Sequence, residues 1–117
     1  MALPKTSDRR FTYADYLKWP DEERWELIDG EAYAMSPAPT ISHQTAAGQL
    51  FRQIDEALDG APCRALIAPV DVLLPTPDEA DDHITTVVQP DILVVCDPTK
   101  ITERNVRGAP DWIIEVL

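Results

Sequence analysis

The run DWIIEVL, residues 111 to 117, is apolar on both sides of any strand it forms. Glu115 shares one face with Ile113 and Leu117, and Trp112, Ile114 and Val116 occupy the other. Side chains alternate across a strand, so a strand without a polar face is normally covered on both sides. A chain that carries such a run has to build layers around it. The same grammar, an acid at the mouth of a run of β-formers, recurs in QPDILVVCD at 89 to 97.

The periodicity elsewhere supplies candidate layers. TYADYLKWP, from Thr12, predicts a short helix with Thr12 as N-cap, Asp15 three residues on, and Pro20 barring continuation. WELIDGEAYAM, 25 to 35, predicts a hairpin, because both central residues of a type I′ turn need positive φ and Asp29-Gly30 supplies them. SPAPTISHQ, 36 to 44, reads as a loop in which Thr40 or Ser42 can cap the next helix. That helix is expected from about His43 to Leu58, with Leu50, Ile54 and Leu58 at four-residue steps and Ala46, Ala47, Phe51 and Ala57 widening the stripe; Asp59-Gly60 ends it.

Three β-type segments follow: RALIAPVDVLLP (64 to 75), broken at Pro69; TVVQPDILVV (86 to 95), bent at Pro90; and DWIIEVL. CDPTKITERNVRGAP, 96 to 110, reads as a loop. The order predicts an α+β fold with an antiparallel meander packed on the long helix. Residues 1 to 10 read as a flexible leader and 11 to 117 as a single domain.

With 21 acids against 10 bases, the formal charge is -11. Such a chain repels a phosphate backbone or an anionic membrane, so DNA binding by the isolated chain is expected to be weak and to need a cation or a local basic patch. Lys100, Arg104 and Arg107 form the one local cluster of bases. The acids of TPDEADDH, 76 to 83, are expected in water, with weak calcium binding as the sharper alternative. No signal-type segment and no long apolar window appears, which predicts a soluble cytoplasmic protein with no membrane partner. Cys63 and Cys96 match no CxxC motif and read as two reduced, partly buried thiols. Trp19, Trp25, Trp112 and the tyrosines are expected in core or hairpin packing.

The two acid-bearing runs can be paired. If they form an antiparallel hairpin around a loop centred near residue 103, facing indices sum to about 206, so Asp91 faces Glu115. Directly opposed side chains have Cβ atoms about 5 Å apart, and like charges so placed destabilise a sheet. Two converging carboxylates make an oxygen-rich site suited to Mg²⁺ or Mn²⁺. The alternatives are that Glu115 faces water at a sheet end or pairs with Arg104 or Arg107, and that Asp91 caps the turn after Pro90.

WELIDGEAYAM, SHQ at a helix start, QPDILVVCD and GAPDWIIEVL, in that order, resemble the Uma2 family of bacterial restriction-endonuclease-like proteins, from about Phe11 to Leu117. The resemblance implies a restriction-endonuclease-like core of the PD-(D/E)xK type, an antiparallel-to-mixed β-sheet packed on a long helix. It implies that Asp91, Glu115 and the main-chain carbonyl of Val116 hold Mg²⁺ or Mn²⁺ for phosphodiester hydrolysis, with Glu26 as a supporting acid. His43 and Gln44 match a polar pair of that family, and His43 itself reads as a surface or capping histidine.

The motif calls for a lysine two residues past the glutamate, and Leu117 stands there. Lys100, the nearest lysine, falls at the far end of the proposed hairpin. The family's phrase continues into a turn, a helix that supplies a displaced lysine, and a last strand. The expectation is therefore a domain truncated at its C-terminus, with that helix and strand missing. Two functions follow from this: a metal-dependent endonuclease domain acting on DNA by hydrolysis, complete or truncated, or a non-catalytic module that forms a homodimer through its exposed C-terminal strand.

Overall fold

The computed structural model describes residues 10 to 35 and 38 to 117. The expected leader lies outside them except for Arg10, as do Ser36 and Pro37 of the predicted loop. In chain order the elements are α1 (Tyr13–Tyr16), β1 (Trp25–Ile28), β2 (Glu31–Ala34), α2 (Ile41–Ala57), β3 (Arg64–Ile67), β4 (Asp71–Leu73), β5 (Val87–Val88), β6 (Ile92–Val95), β7 (Asn105–Arg107) and β8 (Trp112–Ile114). Short 3₁₀ turns occupy Asp81–His83 and Pro98–Lys100. The fold is α+β with one main helix, consistent with a restriction-endonuclease-like core. The described residues divide into two compact units, the stretch up to Ala38 with Leu73–Val88, and Pro39–Val72 with Gln89–Leu117.

In the first unit, α1 is a single turn held by the predicted capping box. The Asp15 N–H donates to Thr12 Oγ1, and the Thr12 N–H donates back to Asp15 Oδ2 at 2.9 Å. β1 and β2 pair antiparallel from Trp25↔Ala34 to Ile28↔Glu31. The turn between them has φ 50° at Asp29 and 81° at Gly30, as the Asp-Gly signal predicted. β5 flanks the other side of β1 through Leu27↔Val87. Phe11, Tyr13, Leu27, Leu73, Ile84 and Val87 form the buried core, with Tyr16, Trp19 and Ala32 packed against it.

The second unit holds the antiparallel sheet β3-β6-β8, with β6 central and buried along its whole length. This is the expected meander order. Helix α2 starts at Ile41, two residues before the predicted start, because Thr40 rather than Ser42 is its N-cap; the Thr40 hydroxyl accepts the His43 N–H at 3.1 Å. Its inward stripe is Ala47, fully buried, with Phe51, Ile54 and Leu58 half-buried. Leu50 is more open than the four-residue stripe implies, since α2 lies chiefly along β3.

Several expectations are corrected. The run at 86 to 95 is two strands, because Gln89-Pro90 interrupts it: proline lacks an N–H and biases the residue before it. β5 serves the first unit and β6 the second. RALIAPVDVLLP likewise splits into β3 and β4 around Pro69. The loop at 96 to 110 contains β7, whose one fully buried residue, Val106, sits among polar neighbours and so leaves no alternating pattern to read. Trp112 is 54% exposed rather than packed, and Ile113 is 43% exposed, so β8 is open on both faces instead of covered.

Cys63 and Cys96 are joined in a disulfide, not held as reduced thiols. The cause is register. β3 and β6 pair as Arg64↔Val95, and one further step sets Cys63 directly opposite Cys96, with Cα atoms 3.9 Å apart. Separation along the chain carries no trace of that neighbourhood. No helix among the described residues is long and apolar enough to cross a membrane.

Candidate functional site

The site grows from Pro90, the buried residue that ends the β5 run. Just before it, Gln89 is buried and its amide donates to Asp71 Oδ1 at 2.9 Å, which fixes the chain entering β6. Asp91 then stands one residue before β6. Its carbonyl accepts the Ala68 N–H at 2.9 Å on the β3 side. Its own N–H is left for the β8 side, where it donates to Glu115 Oε1 at 3.1 Å.

The predicted register holds. Ile92 pairs with Ile114, Leu93 with Ile113 and Val94 with Trp112, so every facing pair sums to 206. One step further along the same ladder brings Asp91 to Glu115. A reciprocal pair of bonds closes that end of the sheet: Asp91 N–H to Glu115 Oε1, and Val116 N–H to Asp91 Oδ2 at 2.8 Å. At the opposite end one acid suffices, since Asp111 Oδ2 accepts the Cys96 N–H and the Asp111 N–H donates to the Val94 carbonyl at 2.8 Å. The Asp91 end therefore closes the ladder with two carboxylates where the opposite end uses one.

A third side chain reaches the pair. His43 Nε2 lies 3.3 Å from Asp91 Oδ2, with the two side chains 23% and 21% exposed. His43 is thus half-buried against Asp91, not the surface or capping histidine expected from the sequence. Its backbone N–H is what Thr40 caps, and its ring turns to the sheet. The signal that could have found it is its place in the first turn of the helix: once Thr40 is the cap, His43 is three residues on, on a rigid element. Gln44, its neighbour, is exposed.

All hydrogen bonds to the Asp91 side chain within the described residues converge on Oδ2, from Val116 N–H and His43, and Oδ1 receives none. Glu115 is exposed, with one oxygen engaged by the Asp91 amide. Among the described residues no group of three or more His, Cys, Asp or Glu side chains is gathered to hold a metal. Two carboxylates and a main-chain carbonyl, all hard oxygen donors, nevertheless match the sparse ligation of Mg²⁺ or Mn²⁺, which keep several waters and use one or two carboxylates.

The remaining expected participants lie on other elements. Glu26 is half-buried on β1 opposite Tyr33, in the first unit. Lys100 lies in the loop that joins β6 to β8, its Nζ donating to the Ala109 carbonyl at 2.9 Å, and so stands at the far end of the hairpin as anticipated. Asp78, Asp81 and Asp82 of the acidic loop are exposed, whereas Glu79 is half-buried and accepts the Thr76 N–H at 3.1 Å. The Thr99 hydroxyl and N–H beside Asp97 hold its carboxyl below the usual range. The Glu31 carboxylate, which accepts the Tyr33 hydroxyl, pushes that phenol up.

A comparison with curated proteins finds no match. The family model of Uma2, described as "Putative restriction endonuclease", matches residues 13–117. That span carries the hairpin, the capped helix and both acid-bearing runs, and the chain belongs to the Uma2 family.

Proposed function

We propose that the chain is a metal-dependent endonuclease domain that hydrolyses DNA phosphodiester bonds, with Mg²⁺ or Mn²⁺ held by Asp91, Glu115 and the main-chain carbonyl of Val116. The observation that carries this is the pairing of two carboxylates, Asp91 and Glu115, at one end of the β6–β8 ladder, with Asp91 Oδ1 left unbonded among the described residues. A bound divalent cation would supply an activated water and shield the charge that develops on phosphorus-bound oxygens.

The chain's own part is positional. Val116 N–H fixes Oδ2 of Asp91 so that Oδ1 is presented, and Asp91 N–H restrains Glu115 beside it. Glu26 is assigned a supporting role on the family resemblance alone. With a net charge of -11, the chain repels duplex DNA unless a cation sits between them, so DNA binding is expected to be weak and cation-dependent. The cytoplasm, where DNA is available, is the compartment this function implies. A disulfide is uncommon there, so the reduced chain belongs in the same experiments.

Isothermal titration of Mn²⁺ into the chain tests this, beside Asp91→Asn and Glu115→Gln. Loss of binding in both variants supports a single shared site; absence of binding in the folded parent sinks the proposal.

A second function is favoured by a separate observation. β8 is the edge of its sheet, with Trp112 and Ile113 exposed, and it borders an apolar groove of about 520 Å³ whose walls include Leu50, Ile54, Trp112 and Ile114. Such an edge invites strand pairing. A non-catalytic module that forms a homodimer there would keep its association state in Asp91→Asn and lose it in Trp112→Lys, which sedimentation velocity measures.

A further inference from the structure

We infer that His43 is a positioning residue for Asp91: with the Val116 N–H, its imidazole clamps Oδ2 and leaves Oδ1 as the oxygen offered to a ligand. The metal-binding part of this inference rests on the function proposed above, whereas the clamp itself does not.

The ring's two nitrogens have unlike surroundings. Nε2 faces Asp91 Oδ2 at 3.3 Å, while Nδ1 is buried with no hydrogen-bond partner. A proton on Nε2 donates to the carboxylate and leaves a bare lone pair at Nδ1. The other tautomer would set a lone pair against the carboxylate oxygen and bury an N–H with no acceptor, which costs more. The geometry therefore assigns the proton to Nε2 and makes the ring a donor to Asp91.

The ring is aimed by a rigid support. Thr40 accepts the His43 N–H and fixes the first turn of a 17-residue helix. Asp91 is fixed independently by the backbone bonds from Ala68 and to Glu115. Two donors on one oxygen then set the carboxylate's rotation, which neither could set alone. A partner that orients a ligating group in this way is typically worth 10- to 100-fold in metal affinity. If the ring were instead a ligand, its nitrogen would tilt the site towards borderline metals.

The test uses the full chain with His43→Leu, which fills the space without a donor, and His43→Gln, whose Nε2–H reaches about as far as the imidazole Nε2. In the metal-free chain, long-range ¹H–¹⁵N correlations read the tautomer, and the Asp91 carboxyl carbon and Val116 amide resonances report the clamp. Expected are a proton on Nε2, displaced Asp91 and Val116 signals in His43→Leu, and Mn²⁺ affinity lowered about 10- to 100-fold in that variant and largely restored in His43→Gln. A proton on Nδ1, or unmoved Asp91 and Val116 signals, overturns the clamp. Mn²⁺ affinity unchanged in His43→Leu, or lost equally in both variants, overturns the positioning role, the latter in favour of direct ligation. Should the parent bind no Mn²⁺, the proposed function fails, and the metal-free spectra still decide whether His43 clamps Asp91.

Discussion

Replacing Asp91 by asparagine should separate the stability of this fold from its ligand binding. The Asp91 carboxylate receives two donors, Val116 N–H at 2.8 Å and His43 at 3.3 Å. An asparagine oxygen can receive both, but without charge assistance, a difference of about 1 kcal/mol for a buried group and less here, with the side chain 21% exposed. Against that loss stands relief of repulsion from Glu115. Opposed residues have Cβ atoms about 5 Å apart, and with Glu115 exposed a water-like dielectric makes the Coulomb term at that separation about 1 kcal/mol before salt screening. The two nearly cancel, so Asp91→Asn should unfold within about 0.5 kcal/mol of the parent in EDTA. Asp91→Ala, which leaves Val116 N–H and His43 without their acceptor, should lose about 1–3 kcal/mol. Mn²⁺ at about a hundred times its dissociation constant should then stabilise the parent by about 2.7 kcal/mol and neither variant. Urea unfolding in EDTA and in Mn²⁺ gives all six values. If asparagine proved as costly as alanine in EDTA, or gained the same Mn²⁺ shift as the parent, the reasoning would be refuted.

Other expectations follow from single features. Reducing the Cys63–Cys96 bond frees a loop of 33 residues, so the chain-entropy estimate puts the loss at about 3–4 kcal/mol, and a urea midpoint indifferent to reductant would contradict it. Gly30→Ala should cost at least about 1–2 kcal/mol, because φ is 81° there and a Cβ would stand 2.8 Å from the Cβ of Arg10. Gly48→Ala, inside α2 with nothing within 4 Å of a new Cβ, should instead raise the thermal midpoint by the equivalent of about 0.5–1 kcal/mol. Asp97 titrates below its usual range, so its contribution is present above the ordinary aspartate value and is lost as pH falls through the depressed one. Thr99→Ala, which removes the hydroxyl donor, should flatten that acid-side slope, and an unchanged slope in acid titrations monitored by circular dichroism would count against it.

Local chemistry was legible wherever it is decided by neighbouring residues. The Thr12–Asp15 capping box, the Asp29-Gly30 turn and the register of β6 against β8 all follow from short-range rules, and all three appear as predicted. What escaped depends on which strand lies beside which. TVVQPDILVV is one apolar run in sequence but serves two units, because its hydrophobicity says only that it is buried, not against what. The cysteines meet only because β3 neighbours β6. His43 escaped for the same reason: a polar residue at a helix start has an ordinary capping explanation, and only the packing of that helix near Asp91 gives it another. The exposure of Trp112 likewise depends on α2 lying along β3 rather than over β8.

The register that joins Asp91 to Glu115 also determines where this chain can change length. Side chains alternate, so one residue added or lost within 92 to 95 or 112 to 114 would turn an acid to the opposite face. The connection between those strands is different. Its base is closed by the Cys96 N–H on Asp111, and its tip is closed by the Thr102 N–H on the Asn105 carbonyl at 2.9 Å, with Glu103 and Arg104 exposed between. A peptide epitope inserted between Glu103 and Arg104 would be absorbed at that tip, leaving the carboxylate pair in step, whereas the same insertion within β6 would not.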